Sequence, residues 1–353
     1  MHNDITALCK AHMDKYPAAQ MVDLLKMLYQ SEFGPGHLVA DKAANRKSLE
    51  QEYERMAPHS SDYVEHIGSA FCRLHLHAIG HNGLTLDTFQ RLFEMSANEV
   101  HGSTNGFLQK IEMLAQSASL TDKLTINNFG MKWLAGGQRP FSHSDAFKAA
   151  YSPAYRVVKA EYCRYLPLFA KIDTAMTKNP QTIVAIDGDA AAGKSTLAGM
   201  LKEVYDCNIL PMDHFFLRPS QRTENRLAQP GGNVDYERFK KEVLEPTLAQ
   251  KPFAYRPFDC RTWDFADEIA VTPSKLTIVE GSYAMHPELA AAYHITTFMK
   301  LDAQEQLRRI LQRNGPEMAQ KFKDIWIPME KRYHTAFAVE NNSHHIFSNP
   351  ANS

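Results

Sequence analysis

Nine consecutive residues, Gly188, Asp189, Ala190, Ala191, Ala192, Gly193, Lys194, Ser195 and Thr196, set two glycines five positions apart, ahead of a lysine and two hydroxyls. Glycines at this spacing let the backbone curl so that its N–H groups point inward at phosphate oxygens. A helix starting at the lysine adds the positive end of its dipole. Lys194 is then placed to reach the β- and γ-phosphates of a nucleotide, and the Ser195 hydroxyl to hold Mg2+. ATP and Mg2+ are the expected ligands of the stretch Gly188 to Thr196. The competing explanation is an ordinary glycine turn. Against it, the stretch lies between a β-branched run, "QTIVAIDG", and a helical one, "KSTLAGMLKEVY".

Residues beyond the loop narrow the chemistry. The chain has no Asn-Lys-x-Asp with which a GTPase would read its base. The strand "LTIVEG" ends in Glu280 with no Asp, an ending that suits small-molecule kinases and places Glu280 near the metal. In "ILPMDHFFLRP", Asp213 falls at the carboxyl end of a second strand, nineteen residues after Lys194. Ligand crevices of parallel α/β sheets open at those strand ends. A carboxylate there can take the proton of an attacking hydroxyl, cap a helix, or join the metal shell with Ser195 and Glu280.

The order of these motifs resembles the uridine kinase and phosphoribulokinase family of P-loop kinases. Asp213, His214, Phe215 and Phe216 match its Asp-x-aromatic-aromatic pattern, and "QEQLRRILQRNG" is similar to its arginine-bearing lid helix, with Arg308, Arg309 and Arg313. The likeness spans residues 180–350, and "FFLRPSQRTENRLAQPGGNVDYERF" and "YRPFDCRTWDF" look like a bacterial uridine kinase-like branch with a long N-terminal region. The resemblance implies an ATP-dependent phosphotransferase acting on an alcohol, in which Asp213, Lys194, Arg309 and Arg313 serve catalysis. Two departures fall on the acceptor side. The family's ribose-binding Asp, counted back from Asp235, lands on Gly232, and its base-reading aromatic lands on Cys260. The acceptor is thus a nucleoside, a sugar or another alcohol. Arg218, Arg222, Arg226, Arg256 and Arg261 flank it and could together bind an anion, while Asn233, Asp235 and Asp259 are candidates to bind hydroxyls.

Alternating strands and helices from residue 179 onward must carry these residues: "CNILPMD", "KLTIVEG", "YHITTFMKLD" and "SHHIFSN" as further strands, "YERFKKEVLEPTLAQ" and "AQEQLRRILQR" as helices. That alternation argues an α/β fold with a doubly wound parallel sheet over 179–353. Residues 1–178 read instead as a mainly α-helical domain. Met21, Leu24, Leu25 and Leu28 form one apolar stripe, and Leu86, Phe89, Leu92 and Phe93 another. Gly34-Pro35-Gly36 and Gly136-Gly137 read as turns, and Ser152–Lys178 as one long helix ending before Asn179-Pro180. His37, His75, His77, His81, His101 and His143 match neither HExxH nor a zinc frame, so ordinary histidines are expected. "PFSHSDAFKAAYSPAYR" lies just before the boundary and is a candidate to face the phosphate-loop domain; substrate recognition, partner binding or self-association are open roles for the first domain.

Composition excludes several classes. The 353 residues suggest two domains, and a net charge of −1 without a basic run disfavours nucleic acid as a partner. The five cysteines lack CxxC spacing, as in a protein of a reducing compartment, and no apolar run approaches the length of a membrane span. The start, "MHNDITALCKAHMDKYP", is not that of a signal peptide, so a cytoplasmic protein is expected. A non-catalytic nucleotide sensor, with the first domain as its output, is the alternative to the kinase.

Overall fold

The computed structural model describes residues 5–35, 42–56, 63–98 and 102–349; Gly36, His37 and His101 lie outside the described residues. The chain divides into two compact units, Met1–Asp173 and Thr174–Ser353.

The first unit is mostly helical. Helix α1 (Ile5–Lys15) and helix α2 (Met21–Phe33) are followed by others at Lys42–Arg55, Leu86–Ala97, Thr104–Ser117, Leu120–Ala135 and Asp145–Tyr151. The apolar stripe of α2 buries Leu24, Leu25 and Leu28 against Phe107, Ile111 and Trp133. Each such side chain contributes about 1.5–3 kcal/mol by leaving water.

The long helix expected over Ser152–Lys178 is corrected by the structure. Tyr155–Lys159 is a strand, and helix resumes only at Ala160–Arg164 and Leu166–Lys178. Val157 and Val158 are β-branched and buried, and Pro167 cannot sit in a helix interior, so a helix restarts around it. The strand completes an antiparallel sheet of β1 (Val64–His66), β2 (Phe71–His75) and β3 (Tyr155–Lys159), with Phe71 opposite Lys159 and His75 opposite Tyr155.

A polar layer runs inside this unit. Arg73 is fully buried and donates to Glu65 at 3.0 Å and to Gln30 at 2.9 Å. His12 and Tyr16 of the first helical segment also reach Glu65, at 3.1 and 3.0 Å. His143 sits between Asp23 (2.7 Å) and the Tyr155 hydroxyl (2.6 Å), while Ser144 donates to Asp23 from both its backbone and its side chain. Cys72 and Cys163, far apart in sequence, hydrogen-bond to each other, and His66 Nδ1 lies 3.1 Å from the Cys72 sulfur.

The second unit is built on five parallel strands: β4 (Thr182–Gly188), β5 (Asn208–Pro211), β6 (Leu276–Glu280), β7 (Ile295–Leu301) and β8 (His345–Asn349). Their spatial order is β8-β7-β4-β6-β5. β4 is buried at every position, the near-continuous apolar run of a strand covered on both faces. The β4-to-β5 crossover steps one way across the sheet and the later ones step the other. Right-handed crossovers then put helix α3 (Lys194–Tyr205) on one face and helix α4 (Ala303–Asn314) on the opposite one. The sheet is doubly wound, as the alternation of elements requires. Phe215, Phe239, Tyr255, Phe298 and Tyr333 belong to the main apolar core of this unit.

Candidate functional site

Sheet order brings the chemistry together. β6 lies between β4 and β5, with Glu280 opposite Ile186 on one side and Pro211 on the other. The carboxyl ends of three adjacent strands thus deliver the glycine loop, Glu280 and Asp213 to one crevice.

Gly188 leaves β4 with φ +132°, and a Cβ there would collide with the backbone of Met299 on β7. Gly193 takes φ +93° just before α3 begins at Lys194. Both positions require glycine, which is the physical content of the spacing. The Lys194 ammonium is held by the loop's own carbonyls, Gly188 O at 2.7 Å and Asp189 O at 3.0 Å. Asp189 binds Leu301 N through its carboxylate at 2.8 Å, and Ala192 O accepts from Asn349 at 2.7 Å. Ala190 and Ala192 are buried, and Thr196 is exposed on the first turn of α3.

Two carboxylates brace the loop from below, and sequence reading missed both. Asp187 is fully buried and accepts from Gly188 N (2.7 Å), Met285 N (2.9 Å) and the Tyr333 hydroxyl (2.8 Å). Its signal was present as the acid in "IDG" preceding the loop. Glu330, on helix α5 (Ile327–Ala336), accepts from Ala190 N at 3.1 Å and from Ser282 Oγ. Burial pushes the Glu330 carboxyl up, against Lys194, Ser282 and Ala190, which favour its charge. Nothing local in "IPMEKRYH" points to that pairing.

Ser195 Oγ donates to Glu280, 3.1 Å from one carboxylate oxygen and 3.2 Å from the other. Burial raises the Glu280 pKa, and the neighbouring Asp213 carboxylate raises it further, while Ser195 and Lys194 oppose. Asp213 is carried on a short 3-10 turn, Met212–Phe215, that starts where Pro211 ends β5. Met212 and Phe215 anchor that turn in the core, and Gly281, lacking a Cβ, leaves room beside the Asp213 carboxylate. Water reaches the Asp213 side chain, yet protein crowds it at longer range, as on the floor of a crevice. That desolvation lifts its pKa, with Lys194, His214 and Arg313 pulling the other way.

The oxygens of Ser195, Glu280 and Asp213 form a hard donor set of the kind Mg2+ takes, with one or two carboxylates and the remaining positions left to phosphate and water. Among the described residues no group of three or more His, Cys, Asp or Glu side chains is arranged to hold a metal alone. His75 lies 3.6 Å from Glu65, and the His81 ring packs 4.0 Å from that of Tyr63.

The three arginines of α4 separate. On α4, Arg308 and Arg309 both pair with Glu305, each at 2.6 Å, whereas Arg313 is within electrostatic range of Asp213. Of the residues expected to bind an acceptor, Asp235 caps the helix Tyr236–Phe239 through Arg238 N (3.0 Å) and also accepts from Gln221 (2.7 Å). Asp259 is held by Arg261 at 2.9 Å and Asn233 accepts from Arg222 at 3.3 Å. At Gly232 the space for a side chain is closed, since a Cβ would run into the Arg226 carbonyl.

A five-stranded parallel sheet in this order, with a glycine loop leading into a helix at its first strand's carboxyl end, defines a doubly wound α/β fold with a P-loop. Solved structures similar to the chain include a possible uridine kinase from Bacillus stearothermophilus, at 16% identity and a TM-score of 0.39 over 51% of this chain and 98% of that one. Shikimate kinase from Bacteroides thetaiotaomicron is another, at 12% identity and a TM-score of 0.26 over 47% of this chain and 86% of that one. No family model and no curated protein matches the chain. Among the described residues no helix is long and apolar enough to cross a membrane.

Proposed function

We propose that this protein is an ATP- and Mg2+-dependent kinase that phosphorylates the hydroxyl of a small molecule. The observation that carries the reading is the convergence of Lys194, Ser195, Glu280 and Asp213 at three adjacent strand ends, with Asp213 in the electrostatic field of both Lys194 and Glu280. Bound ATP with Mg2+ supplies the transferable phosphoryl group. Residues Gly188–Thr196 hold the nucleotide, Lys194 fixes its β- and γ-phosphates, and Ser195 and Glu280 hold the metal side. Asp213 takes the proton of the acceptor hydroxyl as that oxygen bonds to phosphorus and the bond to ADP breaks. Arg313, with Arg309 behind it, neutralises charge that develops on the phosphoryl oxygens.

Uridine and cytidine are poor acceptors in this reading. The carboxylate that would grip a ribose cannot be housed at Gly232, and a site lacking such a partner loses about 2–4 kcal/mol of discrimination.

The test is Lys194→Ala in an ATP-dependent transfer assay over nucleosides, sugars and sugar acids. The variant is expected to lose transfer and to bind ATP more weakly. Parent-rate product formation by the variant contradicts the loop's role. ATP binding without transfer to any acceptor, in the parent protein, would leave a nucleotide sensor instead.

A further inference from the structure

The arginines around the acceptor side are not equivalent. Arg226 clamps Glu237 through both terminal nitrogens at 2.7 Å, donates to Gly232 O and Val234 O, and lies 4.3 Å over the Tyr236 ring. Arg238 is held by Glu242 and by Arg256 O, against the ring faces of Phe215 and Phe265. Arg256 donates to the Ala266 and Phe265 carbonyls, and Arg261 is locked onto Asp259. These guanidinium groups tie the loops of the unit to one another, and the exposed Arg218 donates through Nε to Gln221 of its own turn at 3.0 Å.

Arg222 is different. It is half-buried and, among the described residues, makes one long hydrogen bond, from Nη1 to Asn233 Oδ1 at 3.3 Å. A guanidinium carries five N–H donors, so most of this one is left for something else. Asn233 is itself buried, and its backbone carbonyl accepts from Leu217 N, in the segment that follows Asp213. The Arg222 guanidinium lies 5.6 Å from the Trp263 ring centroid.

Trp263 is an independent sign of a built surface. It closes the hairpin between Phe258–Asp259 and Asp264–Phe265 with φ +59°, a left-handed conformation that costs a bulky residue about 1–3 kcal/mol. The strain holds a half-exposed indole under Arg222. Phe216, three residues after Asp213, bridges Val234 beside Asn233, so the stretch that steadies Arg222 runs against the segment that carries Asp213.

Building on the kinase reading above, we propose that Arg222, seated on Trp263 and steadied by Asn233, binds a carboxylate or phosphate group of the acceptor. The acceptor is therefore an anionic alcohol, whose charge lies at the far end from the hydroxyl that meets Asp213. Charge-assisted, two-pronged contacts to a planar guanidinium suit either anion.

The experiment measures ATP-dependent phosphorylation of matched pairs: glycerol against glycerate and glycerol 3-phosphate, and ribose against ribonate and ribose 5-phosphate. The parent protein, Arg222→Gln, Arg222→Lys and Trp263→Ala are compared, with ATP affinity and thermal unfolding measured on each. The expected result is turnover of charged members in preference to their neutral partners. Arg222→Gln should raise KM for them about tenfold or more with a smaller change in kcat, and Arg222→Lys should recover part of the loss. The carboxylate and phosphate arms decide which anion is read. Neutral alcohols used as well as charged ones, or an unchanged KM in a folded Arg222→Gln, overturn the anion site while the kinase stands. No transfer to any member, with ATP still bound, overturns the kinase reading and the anion site with it.

Discussion

In the first unit Glu65 is buried with Arg73, His12 and Tyr16 around it; in the second, Asp213 and Glu280 share a crevice with, among the described residues, only Ser195 at hydrogen-bond distance from either carboxylate. Burial alone would raise all three pKa values. At Glu65 the guanidinium of Arg73 and the ring of His12 overcome burial and hold the carboxyl far below its usual range. At Asp213 and Glu280 burial wins, and at Glu280 the neighbouring Asp213 carboxylate opposes the charge further. A buried charge answered within its own unit fixes a fold, because any departure leaves a partner stranded. Two crowded carboxylates whose neighbouring cations do not outweigh desolvation favour a ligand that brings positive charge or protons.

The largest expected effect falls on the closed network. Arg73→Leu strands Glu65 and should cost about 3–5 kcal/mol, read as an earlier thermal transition. Arg73→Leu combined with Glu65→Leu should recover most of that loss, since the stranded charge is then gone. A single variant as stable as the parent would break the contrast between the two regions.

Next in size is Gly232→Asp. Its Cβ has no room against the Arg226 carbonyl, so the variant should lose about 1–3 kcal/mol of stability and gain no uridine phosphorylation. A stable variant that phosphorylates uridine would show that the loop yields and that the position is an acceptor site after all.

The smallest effect is the most diagnostic of sign. Because burial raises the Glu280 pKa, the folded state favours the protonated group. Its contribution to stability is present at pH below the ordinary carboxylate range and is lost as pH rises through the elevated folded value. Glu280→Gln removes that penalty at neutral pH. It should raise Tm by about 2–4 °C, corresponding to roughly 1 kcal/mol, while slowing phosphoryl transfer. A lowered Tm would place Glu280 with Glu65, as a carboxylate the fold depends on.

The parts of the molecule legible in sequence are those whose cause is local. The glycine loop is read from the φ values that Gly188 and Gly193 must adopt, and Glu280 and Asp213 from the apolar runs they terminate. Asp302 and Gly315 bracket α4 as cap and stop, and Glu305 pairs with Arg308 and Arg309 three and four positions on, the ordinary spacing of ion pairs along a helix, so these pairs too are local in cause. Tyr155–Lys159 was misread because its strand partner Phe71–His75 lies far back in the chain, and a single short run between helices carries little signal of its own. Glu330 meets the loop only because α5 returns beneath it, a tertiary fact with no local trace. The same holds for Arg222: several arginines lie nearby in sequence, and their partners in space show that this one is half-buried over Trp263 with donors to spare.

The central claim, that the Asp213 carboxylate is held in the crevice to take a proton, is tested most directly by the pH dependence of phosphoryl transfer in the parent protein and in Asp213→Asn. Crowding at the crevice floor raises the Asp213 pKa, so kcat/KM should rise with pH along an acidic limb lying above the ordinary aspartate range near 3.9. In Asp213→Asn, kcat should fall by about 10²–10⁴ and that limb should vanish, with ATP affinity nearly unchanged. A variant that keeps both the parent rate and the parent limb would contradict the account.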